Sequence, residues 1–214
     1  MSRLSKTRGD QGHPSVPTEA PVIRGRRVVL QPLTARDWPA WSEVRLRNAE
    51  WLQPWEPLRP EHQVDPALDR DAFNARCLAR DRERQIGAAA GFGLFVGTEF
   101  AGEINLNNIV RGAHQSATVG YWIDRAQAGQ RLIPEAAVVL AGFAFEQLRL
   151  HRFEVCIVPR NTRSRRVMEV LELREEGTAE RFLEIAGTWE DHVRYGFTAE
   201  EWFARRDALA AAWL

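Results

Sequence analysis

Between Asp124 and Ala137 the chain reads "DRAQAGQRLIPEAA", flanked by two segments of different periodicity. Before it, "SATVGYWID" is rich in β-branched and aromatic residues and reads as a strand. After it, "IPEAAVVLAGFAFEQL" sets Ile133, Ala136, Ala137, Leu140, Ala144 and Leu148 on one side of a helix. A strand that turns straight into such a helix dictates local architecture, because the helix must lie back on the sheet to bury its stripe. The first-turn N–H groups, which find no partner inside the helix, then stand at the sheet's end with positive partial charge. Such an end binds phosphate. Gly129 allows close backbone approach, and Pro134 is tolerated early in the helix while removing one donor.

The other segments surround this junction. "RRVVLQPL" is a strand ending near Leu33; in "TARD", Thr34 caps a helix and Asp37 reaches back to it. That helix carries Trp38, Trp41, Val44 and Leu46 towards the core. "AEWLQPWEPLRPEHQ", with three prolines, reads as a loop. A second helix spans "DPALDRDAFNARCLARDRER"; "AGFGLFV", the turn "GTE" and "FAGEINLNNIV" form a hairpin. Downstream, "HRFEVCIV" is a strand, "SRRVMEVLEL" a short helix and "RFLEI–AGT–WEDHVRYGF" a second hairpin. Thr198 and Glu201 then cap a C-terminal helix. The order β-α-α-β-β-β-α-β-α-β-β-α calls for an α/β (α+β) fold: a mixed sheet with helices on its faces.

Composition narrows the classes. With 214 residues, 44% hydrophobic, the chain supports one core, expected over residues 22–214; the polar stretch 1–21 reads as a disordered tail. Basic and acidic residues number 29 each, so no overall field favours nucleic acid or an anionic membrane. No apolar run approaches the ~18 residues of a membrane span, and no signal-peptide segment is visible. Cys77 and Cys156 belong to no CxxC or zinc spacing, nor do the histidines show metal spacing; reduced thiols, no metal and a cytoplasmic setting are expected.

Two further segments bear on the phosphate site: the "LQPWEP" loop and "VPRNTRSRRVMEVLELREEG", another strand-to-helix junction. With "GYW" and the 124–137 loop, they resemble the GNAT acetyltransferase superfamily, specifically its ribosomal-protein-alanine N-acetyltransferase (RimJ/RimL-like) branch. That branch shows "FLxPWEP", "GYW", "G-[KRQ]-G-[ILY]-M-x-E-A" and "P-x-N-x-x-S-x-x-V-x-E-x-L-G-F-x-x-E-G" in this order. The match runs from about Val22 to Trp202. The resemblance implies a central, mostly antiparallel twisted sheet flanked by helices on both faces, acetyl-CoA as co-substrate, and a homodimer as a possible assembly. It implies that Tyr121, Trp122 and Ile123 pair with the pantetheine arm, and that Ala128, Gly129, Gln130, Arg131, Leu132 and Ile133 form the pyrophosphate loop. It places Asn161 on the pantetheine, Ser164 near the thioester sulfur, and Trp55 and Glu56 at the acceptor entrance. Of the cluster Arg160, Arg163, Arg165 and Arg166, one or two side chains, Arg165 among them, would meet the outer phosphates.

Two positions depart from the pattern. Arg131 stands at the second loop glycine, and Glu172 at the glycine of "LGF", followed by Leu173. If residue 131 takes a left-handed backbone, a side chain there costs roughly 1–2 kcal/mol. If it is helical, Arg131 is inexpensive and its guanidinium can pair with a phosphate, or crowd it.

The expected reaction is transfer of the acetyl group to a primary amine by direct attack in a ternary complex. At pH 7 a lysine costs about 4.6 kcal/mol to deprotonate, and an α-amino group about 1–1.4. An N-terminal α-amine of a protein or peptide is therefore the expected acceptor. Alternatives are a small-molecule amine and a catalytically degenerate CoA-binding regulatory module. Glu103 in "AGEINL" is the first candidate base, its competing reading a solvent-facing strand residue. Asn105 shares its face as a substrate contact, with Asn107 beyond it. Glu56 is a second candidate base, and Ser164 the candidate proton donor.

Overall fold

The computed structural model of the protein describes residues 21–214, so the expected tail lies, save for Pro21, outside the described residues. Among these, eight strands form one sheet: β1 (Ile23–Arg24), β2 (Val28–Gln31), β3 (Ala90–Val96), β4 (Glu99–Val110), β5 (Ser116–Ile123), β6 (Arg152–Ile157), β7 (Arg174–Ile185) and β8 (Thr188–Thr198). Their order is β1-β2-β3-β4-β5-β6-β8-β7. Every neighbouring pair is antiparallel except β5 and β6, which run parallel over three residue pairs, Ser116–Arg152 to Thr118–Glu154. Beyond Thr118 the two strands part, and Val119–Ile123 keeps only its β4 partner.

Helices cover both faces. On one, α4 (Leu132–Gly142), α5 (Thr162–Val170) and α6 (Ala199–Trp213) close the larger core over Val28, Leu30, Phe92, Leu94, Ile104 and Leu106. On the other, α1 (Trp38–Arg47) and α3 (Arg70–Gln85) bury Trp41, Val44, Phe73 and Cys77 against Phe95 and Phe100. Period-two alternation divides β4 between these faces: Ile104 and Leu106 enter the larger core, Glu103 and Asn105 the other side. Helix α4 is buried on every side from Leu132 to Ala141, so it forms the pillar of the larger core.

Several expectations need correction. The strand expected to end near Leu33 is β2, which ends at Gln31, and Leu46 points to solvent, 46% exposed, because α1 gives the sheet only the stripe through Trp41 and Val44. The proline-rich loop contains a turn of helix, α2 (Ala49–Leu52), then a 3-10 turn Gln53–Trp55; Pro54 falls within that turn's start, where no N–H is required. Helix α3 begins at Arg70, capped by Asp69, which accepts from Ala72 N–H at 2.7 Å. Helix α4 passes into a π-helical turn, Phe143–Gln147. Helix α5 begins at Thr162, earlier than the serine expected to open it. Strand β7 begins at Arg174, seven residues before the expected hairpin arm. Both capping boxes, Thr34–Asp37 and Thr198–Glu201, are formed, the first heading a 3-10 turn.

Candidate active site

Where β5 and β6 part, a cavity of about 750 Å³ opens between β5, the loop 127–131, the start of α4, α5 and the α2 turn. Tyr121, Trp122 and Ile123 line it, as do Ala128, Gly129, Arg131, Leu132 and Ile133, with Asn161, Ser164, Trp55 and Glu56 completing the wall. The junctions at 124–137 and 158–167, distant in sequence, thus meet across one cleft. Leu132 and Ile133 open α4, and their N–H groups have no acceptor four residues back within the helix. Such donors beside an unpaired strand edge suit an extended ligand ending in a diphosphate.

The loop's shape is imposed from below. Asp124, 2% exposed, accepts from Asn48 Nδ2 at 2.8 Å, from Ala126 N–H at 3.2 Å and from the Arg47 guanidinium. Burial raises its pKa; Arg47, Asn48 and Ala126 outweigh that and hold the carboxyl below its ordinary value. Asn48 Oδ1 in turn accepts from Arg125 N–H at 2.9 Å, so the α1–α2 junction and the loop share one buried node. From the other side Arg27 donates to the Gln130 carbonyl at 3.0 Å and to Glu135 at 2.8 Å. None of Arg27, Asn48 or Asp124 carries a periodic or motif signal, so sequence reading passes over them.

Both departures from glycine adopt the left-handed backbone: Arg131 has φ +61° and Glu172 φ +51°. Arg131 is the N-cap of α4. Glu172 closes α5, where Leu173 N–H reaches Met168 O at 3.0 Å and Glu172 N–H reaches Glu169 O at 3.0 Å, the paired bonds of a left-handed helix stop. Arg205 adds bonds to the carbonyls of Leu171 (2.9 Å) and Glu172 (3.2 Å). The loop therefore keeps the shape that glycine would give it, at the cost a side chain incurs there.

Trp51 and Trp55 form the roof. Arg163 stands 4.4 Å over the Trp51 ring and Arg160 4.6 Å over Trp55, so two cation–π stacks span from α2 to the start of α5. Trp51 Nε1 donates to Ile123 O at 3.3 Å, on the edge that β6 leaves unpaired. Glu56 is gripped on both carboxylate oxygens by Arg45 at 2.7 Å, and its carbonyl accepts from Ala186 N–H at 2.9 Å. Tyr121 OH donates to Ser164 O at 3.2 Å; burial pushes its pKa up, so it stays protonated. Asn161 caps α5 through Ser164 N–H at 3.1 Å.

Not every expected residue meets here. Among the arginines, Arg163 and Arg166 line the cavity; Arg165 instead bonds Tyr195 OH at 3.1 Å, and Arg160 pairs with Glu190. Gln130 turns back on Gln127 at 3.1 Å. Glu103 and Asn105 lie on the opposite sheet face, lining a second cavity of about 250 Å³ beneath α3. Glu103 does not face solvent: it is 2% exposed, accepting from Trp41 Nε1 at 2.6 Å and Arg76 at 2.5 Å.

A profile of the acetyltransferase (GNAT) domain family matches residues 27–174. A probable N-acetyltransferase of Bacillus subtilis (strain 168), YjcK, is 30% identical over 175 residues, covering 80% of this chain and 93% of that protein. The [ribosomal protein uS5]-alanine N-acetyltransferase of Escherichia coli (strain K12) is 30% identical over 178 residues, covering 82% and 90%. The structure of Mycobacterium smegmatis RimJ in complex with CoA-disulfide superimposes with a TM-score of 0.82 at 31% identity, covering 94% of this chain and 97% of that one. Cleft, loop and sequence agree, and the chain belongs to the GNAT family of acetyl-CoA-dependent N-acetyltransferases, related to the ribosomal-protein acetyltransferases.

Proposed function

We propose that the enzyme, its catalytic unit comprising residues 22–214, acetylates the N-terminal α-amine of a protein or peptide in the cytoplasm. One observation carries this reading: among the described residues Glu56 is the single carboxylate lining the cleft, and Arg45 holds both its oxygens. A carboxylate so engaged keeps only its remaining lone pairs to hold a water that takes the amine's proton. It suits an acceptor that costs about 1–1.4 kcal/mol to deprotonate at pH 7, and not a lysine at about 4.6. The β7–β8 turn is tied to this residue as well, Ala186 N–H donating to the Glu56 carbonyl. The E. coli relative acts, by its name, on an alanine of ribosomal protein uS5, a protein acceptor.

In this reading the residues of the chain position and protonate. The β5 edge and the loop 128–133 hold acetyl-CoA extended, with Arg163 and Arg166 towards its phosphates. The amine enters beside Trp55 and Glu56, loses its proton to water held at Glu56, and attacks the thioester carbonyl. The C–N bond forms, the C–S bond breaks, the departing thiolate takes the proton of the Ser164 hydroxyl, and the serine oxygen recovers a proton that the acylated nitrogen sheds through water. Glu103, sealed behind Trp41 and Arg76, supports β4 and takes no proton from the amine.

The reading is checked by acetyl-CoA turnover with peptides bearing a free or a blocked N-terminus. Blocking the α-amine while leaving an internal lysine is expected to abolish turnover; unchanged turnover would give the acceptor to lysine. Ser164→Ala is expected to lower kcat about ten-fold or more with near-normal acetyl-CoA binding; normal kcat removes it from the mechanism. Arg131→Gly is expected to keep the fold, to raise stability by about 1 kcal/mol through relief of the left-handed strain, and to change the acetyl-CoA Kd several-fold. Calorimetry and thermal melts read both effects; unaltered values would mean that residue 131 neither strains the loop nor touches the ligand.

A further inference from the structure

The smaller cavity, beneath α3, is separated from the cleft by one strand. Glu103 and Asn105, on its wall, stand directly across from Trp122 and Gly120 of β5, and Trp122 also lines the cleft. Its lining includes three arginines, Arg76, Arg80 and Arg84, against two carboxylates, Asp81 and Glu103. Both carboxylates are already paired, Glu103 with Arg76 and Asp81 with Arg84. Cys77 adds no negative charge, because burial pushes its thiol up to about 11.

Donors converge on this space. Asn105 is 9% exposed, and its Oδ1 accepts from Phe92 N–H at 3.1 Å. That bond fixes the amide so that Nδ2 is left to donate, and among the described residues it has no acceptor. Arg80 gives Nη1 to Asn107 at 3.2 Å and to Glu83 at 3.1 Å, leaving Nε and Nη2 to donate. Between the two side chains lies Gly91. A Cβ there would stand 3.1 Å from Asn105 Oδ1 and 3.5 Å from Arg80 Cδ, so the glycine keeps the floor clear between them. An amide donor and a guanidinium flanking a bare backbone call for a ligand that only accepts, and the two guanidinium nitrogens left to donate suit the paired oxygens of a carboxylate.

We propose that this pocket binds a carboxylate, held by the Asn105 amide and the Arg80 guanidinium, with Arg76 bounding the site. The carboxylate has two possible sources. One is an acidic side chain close to the acceptor's N-terminus, which rests on the α-amine reading above and would make the pocket a specificity site. The other is a free small dicarboxylate, which does not rest on it.

The test uses the full-length enzyme, Arg80→Met, and Gly91→Ala, which narrows the pocket while leaving every arginine in place. Two readouts separate the sources. Paired peptides with glutamate or glutamine at positions two, three and four are compared at saturating acetyl-CoA, and glutarate is titrated by NMR and thermal shift. If the side chain is the ligand, KM for at least one glutamate peptide is five-fold or more below that of its glutamine twin, and both variants erase the difference. If the ligand is free, peptides show no preference, while glutarate saturates the native enzyme at millimolar concentration and neither variant. Equal behaviour of native enzyme and both variants in both readouts overturns the pocket. Should no peptide be acetylated while glutarate binding is still lost in the variants, the α-amine reading falls and the pocket stands.

Discussion

Glu135→Ala is expected to cost about 3 kcal/mol of stability, near the lower end for breaking a buried pair. The carboxylate is 1% exposed and accepts from Arg27 N–H at 2.5 Å, Val28 N–H at 3.1 Å and Arg27 Nε at 2.8 Å. Truncation strands the Val28 donor in the core, where Val28 is fully buried, and an unmet donor there costs about 1–3 kcal/mol. The lower figure for the pair applies because the Arg27 side chain is 43% exposed and recovers solvation. A chain of this length loses about 2–4 °C per kcal/mol, so the melting temperature should fall by about 10 °C. Glu135→Gln keeps one acceptor and should lose less. Because Arg27 also holds the Gln130 carbonyl, the alanine variant should bind acetyl-CoA more weakly even below its melting range. A melting curve superimposable on that of the native enzyme would show that the clamp does not bear on stability.

Asp124→Ala should loosen the same loop from its other end. Loss of this acceptor leaves Ala126 N–H and one bond of Asn48 unmet, at about 1–3 kcal/mol, while Arg47 retains Glu43 and solvent. The larger effect is on the ligand. Donors of the loop no longer wait in position, and acetyl-CoA affinity should fall ten-fold or more, about 1.4 kcal/mol for each factor of ten. The native residue also predicts a pH dependence. Its folded pKa lies below the ordinary carboxylate value, so its contribution is fully present above that value and fades as pH falls through the lower, folded one. Acid titration of stability in native and Asp124→Ala enzymes should converge at low pH; curves that stay parallel would rule this linkage out.

Periodicity made most of the architecture legible, and it failed where burial is one-sided or absent. Strand β7 opens with "REEGTAE", in which no residue is buried, so no alternation marks its start. Its pairing is fixed by β8 alone, across two register shifts. Helix α2 hid behind prolines that stop a long helix but accept a single turn. Leu46 followed the helical spacing yet found no partner, since α1 faces the sheet through a narrow stripe.

Of the site, the residues that line the cleft were legible through motif resemblance, which carries positions but not directions. Arg165 and Arg163 are two residues apart, so a helix turns them to different sides, and the one reaching the cleft was not the one expected. Glu103 looked like an available base because a strand's alternation assigns a face without saying what covers it. Trp41 and Arg76, from helices 62 and 27 positions away, cover it. Partners of that kind leave no trace in local sequence.

The eight strands resemble an open book more than a continuous plate. Its two leaves, β1 to β5 and β6 to β8, share a spine only three residue pairs long, between Ser116 and Thr118 on one side and Arg152 and Glu154 on the other. A long guest slipped between the pages therefore enters where the binding is thinnest, at the end where the two antiparallel ladders have already separated.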